Sequence, residues 1–183
     1  MPGGAGLERQ QWNEKLAAIG EHLRDHGSAA ALEIIGAWPV MEAGLEGRTS
    51  LDLGVWMPAS DADRSTTAAA CAAAGLDFDP TGETDRPYLQ LVQPGIVSMP
   101  DHVPVKVGRW GALTVLTPPP AVLAAMKLVR AEPKDVADVL FLASRHGLTR
   151  EPVAAAVRSI PDASKRQTAE ENLVYLDVPQ AWR

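Results

Sequence analysis

The 183-residue chain carries a single cysteine, Cys71. One thiol excludes an internal disulfide and a cysteine-rich zinc site. Set in the run AAACAAAG, it reads as a small buried side chain. Positive charge is also short: 17 Lys and Arg face 23 Asp and Glu, for a formal net charge of −6. Bulk charge therefore makes no phosphate-binding footprint, and any nucleic-acid contact has to be local. Long apolar runs are missing. No segment reaches a membrane-spanning length free of charge, and residues 1–20 lack the apolar centre of a secretory leader. The expectation is a cytoplasmic protein without membrane contact. His22, His26, His102 and His146 show no metal-site spacing and read as surface or helix-end residues. Neither a Gly-x-Ser-x-Gly elbow nor a Gly-x-x-x-x-Gly-Lys-Ser/Thr phosphate loop occurs.

What is present is periodic. A chain of this length suits one domain or two small lobes. Trp12, Leu16, Ile19 and Leu23 form one stripe at helical spacing, predicting a helix over residues 7–26 that ends at Gly27. Residues 30–38 read as a short strand through Gly36, stopping at Pro39, and residues 40–45 as one helical turn. The clearest strand is 51–57, LDLGVWM. Its alternation turns Leu51, Leu53, Val55 and Met57 one way, and Asp52, Gly54 and Trp56 the other, toward a cleft. Residues 61–76 read as a helix, 77–86 as polar turns, and 87–93 as another strand. Residues 103–107 and 112–116 form a hairpin across Gly108 to Gly111. Trp38, Trp56 and Trp110 are expected to pack against the sheet, with Trp56 also placed to line a pocket. Helices follow over 149–159 and 163–176. The predicted fold is α/β (α+β): a mixed sheet packed by helices over 1–117, then an all-helical part over 118–183.

Residues 117–147 read as an antiparallel helical hairpin. Thr117 is placed to cap its first helix, and Pro118 to Pro120 suit a first turn, where backbone N–H groups lack intrahelical partners. Val122, Met126 and Val129 form an apolar stripe with Lys127 beside it. Glu132-Pro133 breaks the chain. Val136, Val139, Leu140 and Ala143 form the core face of the second helix, Asp135 and Asp138 share another face, and Gly147 ends it. The default reading makes Lys127, Lys134, Asp135 and Asp138 solvated or helix-end charges. A functional reading requires a second element that brings another carboxylate toward Lys127, and Asp52 is the candidate.

A strand carrying Asp-x-Asp presents two carboxylates on one face, about 7 Å apart, a good mount for divalent ions that bridge nucleotide phosphates. Here the first position is Asp52 and the second is Gly54. Gly36, Arg48, Ser50 and Asp52, followed by Met126-Lys127-Leu128 and Lys134-Asp135-Val136-Ala137-Asp138, resemble the nucleotidyltransferase superfamily with the DNA polymerase beta fold. Within it the pattern is most similar to the AbiEii-type nucleotidyltransferases, toxins of type IV toxin–antitoxin systems. The resemblance covers residues 30–147.

It implies that Asp52 ligates Mg²⁺ and that Lys127 contacts the phosphates of a bound NTP, the two forming the catalytic pair. Ser50 becomes a phosphate or capping contact, Arg48 a further nucleotide-binding residue, and Asp135 a supporting polar group. Two departures stand out. Gly54 replaces the second metal-binding Asp, and strand 87–93 has no Asp or Glu where many members place a third carboxylate. The Gly-Ser pair that often precedes the motif reads Gly36-Ala37. Three readings follow. The chain is a degenerate or weakly active nucleotidyltransferase-like protein that binds a nucleotide, an RNA or a protein partner. Or it is an active Mg²⁺-dependent enzyme that moves a nucleotidyl group from an NTP to RNA or protein. Or it is a structural, antitoxin-like partner.

Overall fold

The computed structural model of the chain describes residues 6–177. The first helix, α1 (Arg9–Asp25), is entered through a capping box. The Glu8 side chain accepts from the Gln11 backbone, and the Gln11 side chain accepts from the Glu8 N–H. Its stripe of Trp12, Leu16, Ile19 and Leu23 is buried throughout, as the spacing predicts.

Strand β1 (Ala30–Ile35) ends earlier than the expected strand. Gly36 takes a positive φ of 87°, which turns the chain out of the ladder. Trp38 instead opens the short helix α2 (Trp38–Glu42), fully buried, its indole N–H donating to Asn13 Oδ1 at 3.2 Å. β2 (Asp52–Trp56) follows, then a 3-10 turn, Met57–Ala59. α3 (Arg64–Ala73) is shorter than expected because Asp63 caps it, accepting from the Thr66 N–H at 2.7 Å. Its alanines approach α1, with Ala70 and Cys71 inside the core. Burial pushes the Cys71 thiol up to about 12.

The polar stretch after α3 contains a short strand the periodicity does not show, β3 (Asp77–Phe78), ahead of β4 (Tyr88–Val92). The hairpin consists of β5 (Val105–Trp110) and β6 (Leu113–Thr117). Its turn is tighter than predicted: Gly108, Arg109 and Trp110 lie inside β5.

The sheet order is β3-β4-β2-β1-β6-β5. β1–β2 and β5–β6 are antiparallel, whereas β1–β6, β2–β4 and β3–β4 are parallel. The fold is therefore mixed α/β, as expected. One sheet face, carrying Leu32, Ile34, Leu53, Val55, Leu89, Leu91, Leu113 and Val115, forms the core with α1 and α3. Trp38 and Trp110 meet edge to face, 6.3 Å between centroids.

Contacts divide the chain into two units. The sheet with α1, α2 and α3 makes one, comprising described residues up to Gln93 together with Pro104–Thr117. Pro94–Val103 and the residues from Pro118 onward make the other. In the second unit α4 (Pro120–Arg130) packs on α5 (Pro133–His146), α6 (Arg150–Arg158) and α7 (Ala163–Asn172). Pro119, not Thr117, stands at the N-cap of α4, because Thr117 is spent as the last residue of β6. Gly147 ends α5 at φ 62°, as its position predicts. Among the described residues no helix is long and apolar enough to cross a membrane.

One backbone contact controls how β5 closes on α1. A Cβ added at Gly20 would lie 1.7 Å from the Trp110 carbonyl oxygen. Gly20→Ala is therefore expected to exceed the ordinary overpacking cost of about 1–3 kcal/mol, since backbone cannot rotate away as a side chain can. The check is thermal denaturation: a melting temperature within about 2 °C of the unchanged protein contradicts the contact.

Candidate functional site

Each unit holds one of the two residue groups the sequence singles out. In the sheet unit, the local scaffold of Asp52 begins at Ser50. Ser50 exchanges backbone hydrogen bonds with Leu7, 2.8 Å and 3.1 Å, and its carbonyl accepts from the Trp12 indole N–H at 3.3 Å. The lead into α1 and Trp12 therefore pin the chain two residues ahead of the start of β2. The Ser50 hydroxyl then donates to Asp52 Oδ1 at 2.8 Å. Asp52 is exposed at the first position of β2, beside Tyr88 of β4. Burial, with the Asp52 charge adding to it, pushes the Tyr88 phenol up. Arg48 is half-buried and donates to the Thr49 carbonyl at 3.3 Å. It lines a cleft of about 410 Å³ with Arg9, Gln10, Met41, Leu45 and Glu46.

The expectation that Asp52, Gly54 and Trp56 all open onto a cleft fails for Gly54 and Trp56; Asp52 is exposed and is not among the residues lining the cleft beside Arg48. Gly54 and Trp56 are buried, Trp56 at 8% exposure. Gly54 pairs with Ile35 on one side and Gln90 on the other. A Cβ built there would sit 3.2 Å from Ile35 Cγ1. The position where the resemblance wants a second carboxylate is therefore an apolar, covered one. Among the described residues no group of three or more His, Cys, Asp or Glu is arranged to hold a metal ion. A lone exposed carboxylate does not fit a divalent ion held by the protein itself.

Next to this row lies a feature the sequence reading missed. Asp79 has a left-handed φ of 45°, and its Oδ1 accepts from Gln90 Nε2 at 2.7 Å and from the Leu91 N–H at 3.1 Å. Arg64 pairs with its other oxygen at 2.6 Å and stacks over Phe78, 5.3 Å from the ring centre. The amide of Gln90 is thus held by an acid on the neighbouring strand's exit.

In the helical unit the default reading is overturned. Lys127 is 9% exposed, Asp135 1% and Asp138 0%, so these three are core residues; only Lys134 remains a solvated charge. The buried line of α4 runs through Leu123, Ala124, Lys127 and Leu128, while Met126 and Val129 of the expected stripe are only half-buried. On α5 the buried line is Asp135, Asp138, Val139, Leu142 and Ala143; Val136 and Leu140 are half-buried. The carboxylates share the core face instead of avoiding it.

The reason is mutual neutralisation. Lys127 Nζ donates to Asp138 Oδ2 at 2.6 Å and stands 3.9 Å from Asp135 Oδ1. Arg130 donates through Nε and Nη2 to the two oxygens of Asp135, 2.6 Å and 2.9 Å, a bidentate fork. Burial alone pushes the Asp135 carboxyl up, but the Arg130 hydrogen bonds and the Lys127 charge outweigh it and hold it below the usual carboxylate range. Arg130 was not among the expected site residues. Its signal was present as Lys-x-x-Arg on one helix and Asp-x-x-Asp on the next, matched charges at matched spacing.

No protein-family model, no curated protein and no solved structure matches the chain.

The network predicts a stability pattern. Breaking a buried ion pair from one side typically costs about 3–5 kcal/mol, whereas replacing both partners with apolar groups of similar size is close to neutral. Lys127→Met is expected to lose that amount in urea denaturation, and Lys127→Met with Asp138→Leu to recover most of it. Asp135, whose folded value lies below its unfolded value of about 3.9, contributes stability present above that value. That share disappears as pH falls below about 4 through the folded value, and Asp135→Asn is expected to flatten this acid limb. Equal losses in the single and double variants, or an unchanged acid limb, count against the network.

Proposed function

We propose that the chain is a nucleotidyltransferase-like protein that has given up turnover and acts by binding, as one member of a toxin–antitoxin type of pair. The observation that carries this reading is Gly54. It is buried, and its missing Cβ faces Ile35 at 3.2 Å. Asp52 is left as a single carboxylate. Lys127, which the resemblance assigns to phosphate, spends its ammonium on Asp138. A net charge of −6 favours a protein partner over RNA, because phosphate affinity draws on clustered cations. A free nucleotide remains compatible with the reading if its contacts are local.

The active alternative has one observation on its side. Asp52 is exposed and oriented by the Ser50 hydroxyl, so it could receive a Mg²⁺ whose other ligands came from NTP phosphates. Metal stabilisation of transferring phosphoryl charge is worth several kcal/mol, and each 1.36 kcal/mol is about tenfold in rate.

The two readings separate in one assay. The purified protein is incubated with labelled NTPs, Mg²⁺ or Mn²⁺, and total RNA or protein, beside Asp52→Ala. The expected result is no transfer above background in either. Robust labelling that disappears in Asp52→Ala overturns the binding reading. Gly54→Asp is expected to lower stability by about 1–3 kcal/mol through overpacking alone, with the buried charge adding to it, and to restore no transfer.

A further inference from the structure

We infer that β5 is a docking edge for an extended acidic segment of another protein, which adds to the sheet as a seventh strand. The inference rests on the preceding reading only in taking the chain to act through a partner, and its site lies apart from Asp52.

β5 and β3 are the two edges of the sheet. β3 is two residues long, and charge pairs crowd it: Asp77 with Arg86 at 3.0 Å, Asp79 with Arg64 at 2.6 Å. β5 is six residues long, with β6 on one side and, among the described residues, no strand on the other. It keeps Val105 at 48% and Val107 at 38% exposure, with Lys106 and Arg109 exposed beside them. An open edge of this kind offers main-chain hydrogen bonds to an incoming strand.

The register decides what kind of strand fits. Lys106 and Arg109 are three apart, so a regular strand would point them to opposite faces. A bulge falls between Lys106 and Gly108, however. Lys106 therefore lies opposite Leu116 and Arg109 opposite Thr114, two positions apart on β6 and so on one face. The Arg109 Nε–H also donates to the Gly111 carbonyl at 2.9 Å, which orients its guanidinium. Two cations thus stand on one face about 7 Å apart, the spacing of alternate residues on an added strand. Val105 shares the other face with Gly108 and Trp110.

This pattern selects its occupant. A second copy of β5 would bring two more cations and no anion against Lys106 and Arg109, and like charges opposite each other destabilise a strand pair. A segment with Asp or Glu at alternate positions, and β-branched residues between them, meets both cations and lays its apolar side along Val105.

The test uses a fluorescent peptide of alternating Glu and Val capped at both ends, a Lys-and-Val counterpart, and a single-stranded oligonucleotide, each titrated into the full chain. The expected result is saturable binding of the acidic peptide alone, with slowed amide exchange along Val105–Trp110. Lys106→Glu with Arg109→Glu should weaken it by about tenfold, because two attractive cross-strand pairs become repulsive. Lys106→Glu alone, which leaves the Arg109–Gly111 bond in place, should give an intermediate loss with an unchanged melting temperature. Absence of binding, equal binding of the acidic peptide by the charge-reversed protein, protection elsewhere in the sheet, preference for the oligonucleotide, or self-association of the free chain through β5 each overturns the inference. A negative transfer assay leaves it standing, and a failed peptide titration leaves the reading of Asp52 standing.

Discussion

Two carboxylates cannot enter the seam of an apolar helical hairpin unless cations enter with them. That condition governs the helical unit. Lys127 answers Asp138 inside the α4–α5 contact, and Arg130 answers the buried Asp135 from the exposed rim, so the four charges sum to zero. Such a pair adds little net stability over apolar residues, but it penalises any arrangement that separates its members. The two helices have one register in which all four groups are satisfied. Because α4 also carries α6 and α7, that register propagates through the unit. Asn172 extends it, its amide donating to the Leu128 carbonyl at 2.8 Å across α7 and α4.

The sheet unit depends on a different device, the close approach of backbone to backbone. Gly20 admits the Trp110 carbonyl, and the segment before α1 holds Ser50 by paired backbone hydrogen bonds. Asp52 inherits its place from that pinning. It is exposed, and with Gly54 buried two residues on, β2 presents one carboxylate and no second one. The scaffold by itself does not decide what such a position does, because function resides in the side chains mounted on it.

Much of the fold was legible from periodicity. The α1 stripe, the existence of β2, the break at Glu132-Pro133 and the end of α5 at Gly147 all follow from local rules, and all appear, whereas the open face expected of β2 is covered after Asp52. Element ends were misplaced where a particular side chain or torsion intervened, as with Asp63 capping α3 and Gly36 turning the chain out of β1. β3 escaped notice because two residues are too few to alternate, and its pairing with β4 is a tertiary fact. The charges of the hairpin were read as solvated since a helix viewed alone gives no reason to bury a lysine. Only the facing helix supplies that reason, eleven residues away from Lys127 in the case of Asp138. For the same cause Gly54 looked like a vacancy awaiting a carboxylate, although Ile35 on the next strand already occupies its surroundings.

The paired charges of α4 and α5 have a consequence for which substitutions the hairpin tolerates. Lys127 and Asp138 are both buried, so replacing one alone strands the other's charge in the core, and the two positions change at low cost only together. Arg130 reaches Asp135 from an exposed position, so in that pair only the acid would be stranded. A lysine, an arginine and two aspartates at these spacings are thus accounted for by how two helices pack, with no ligand needed to explain why they are there.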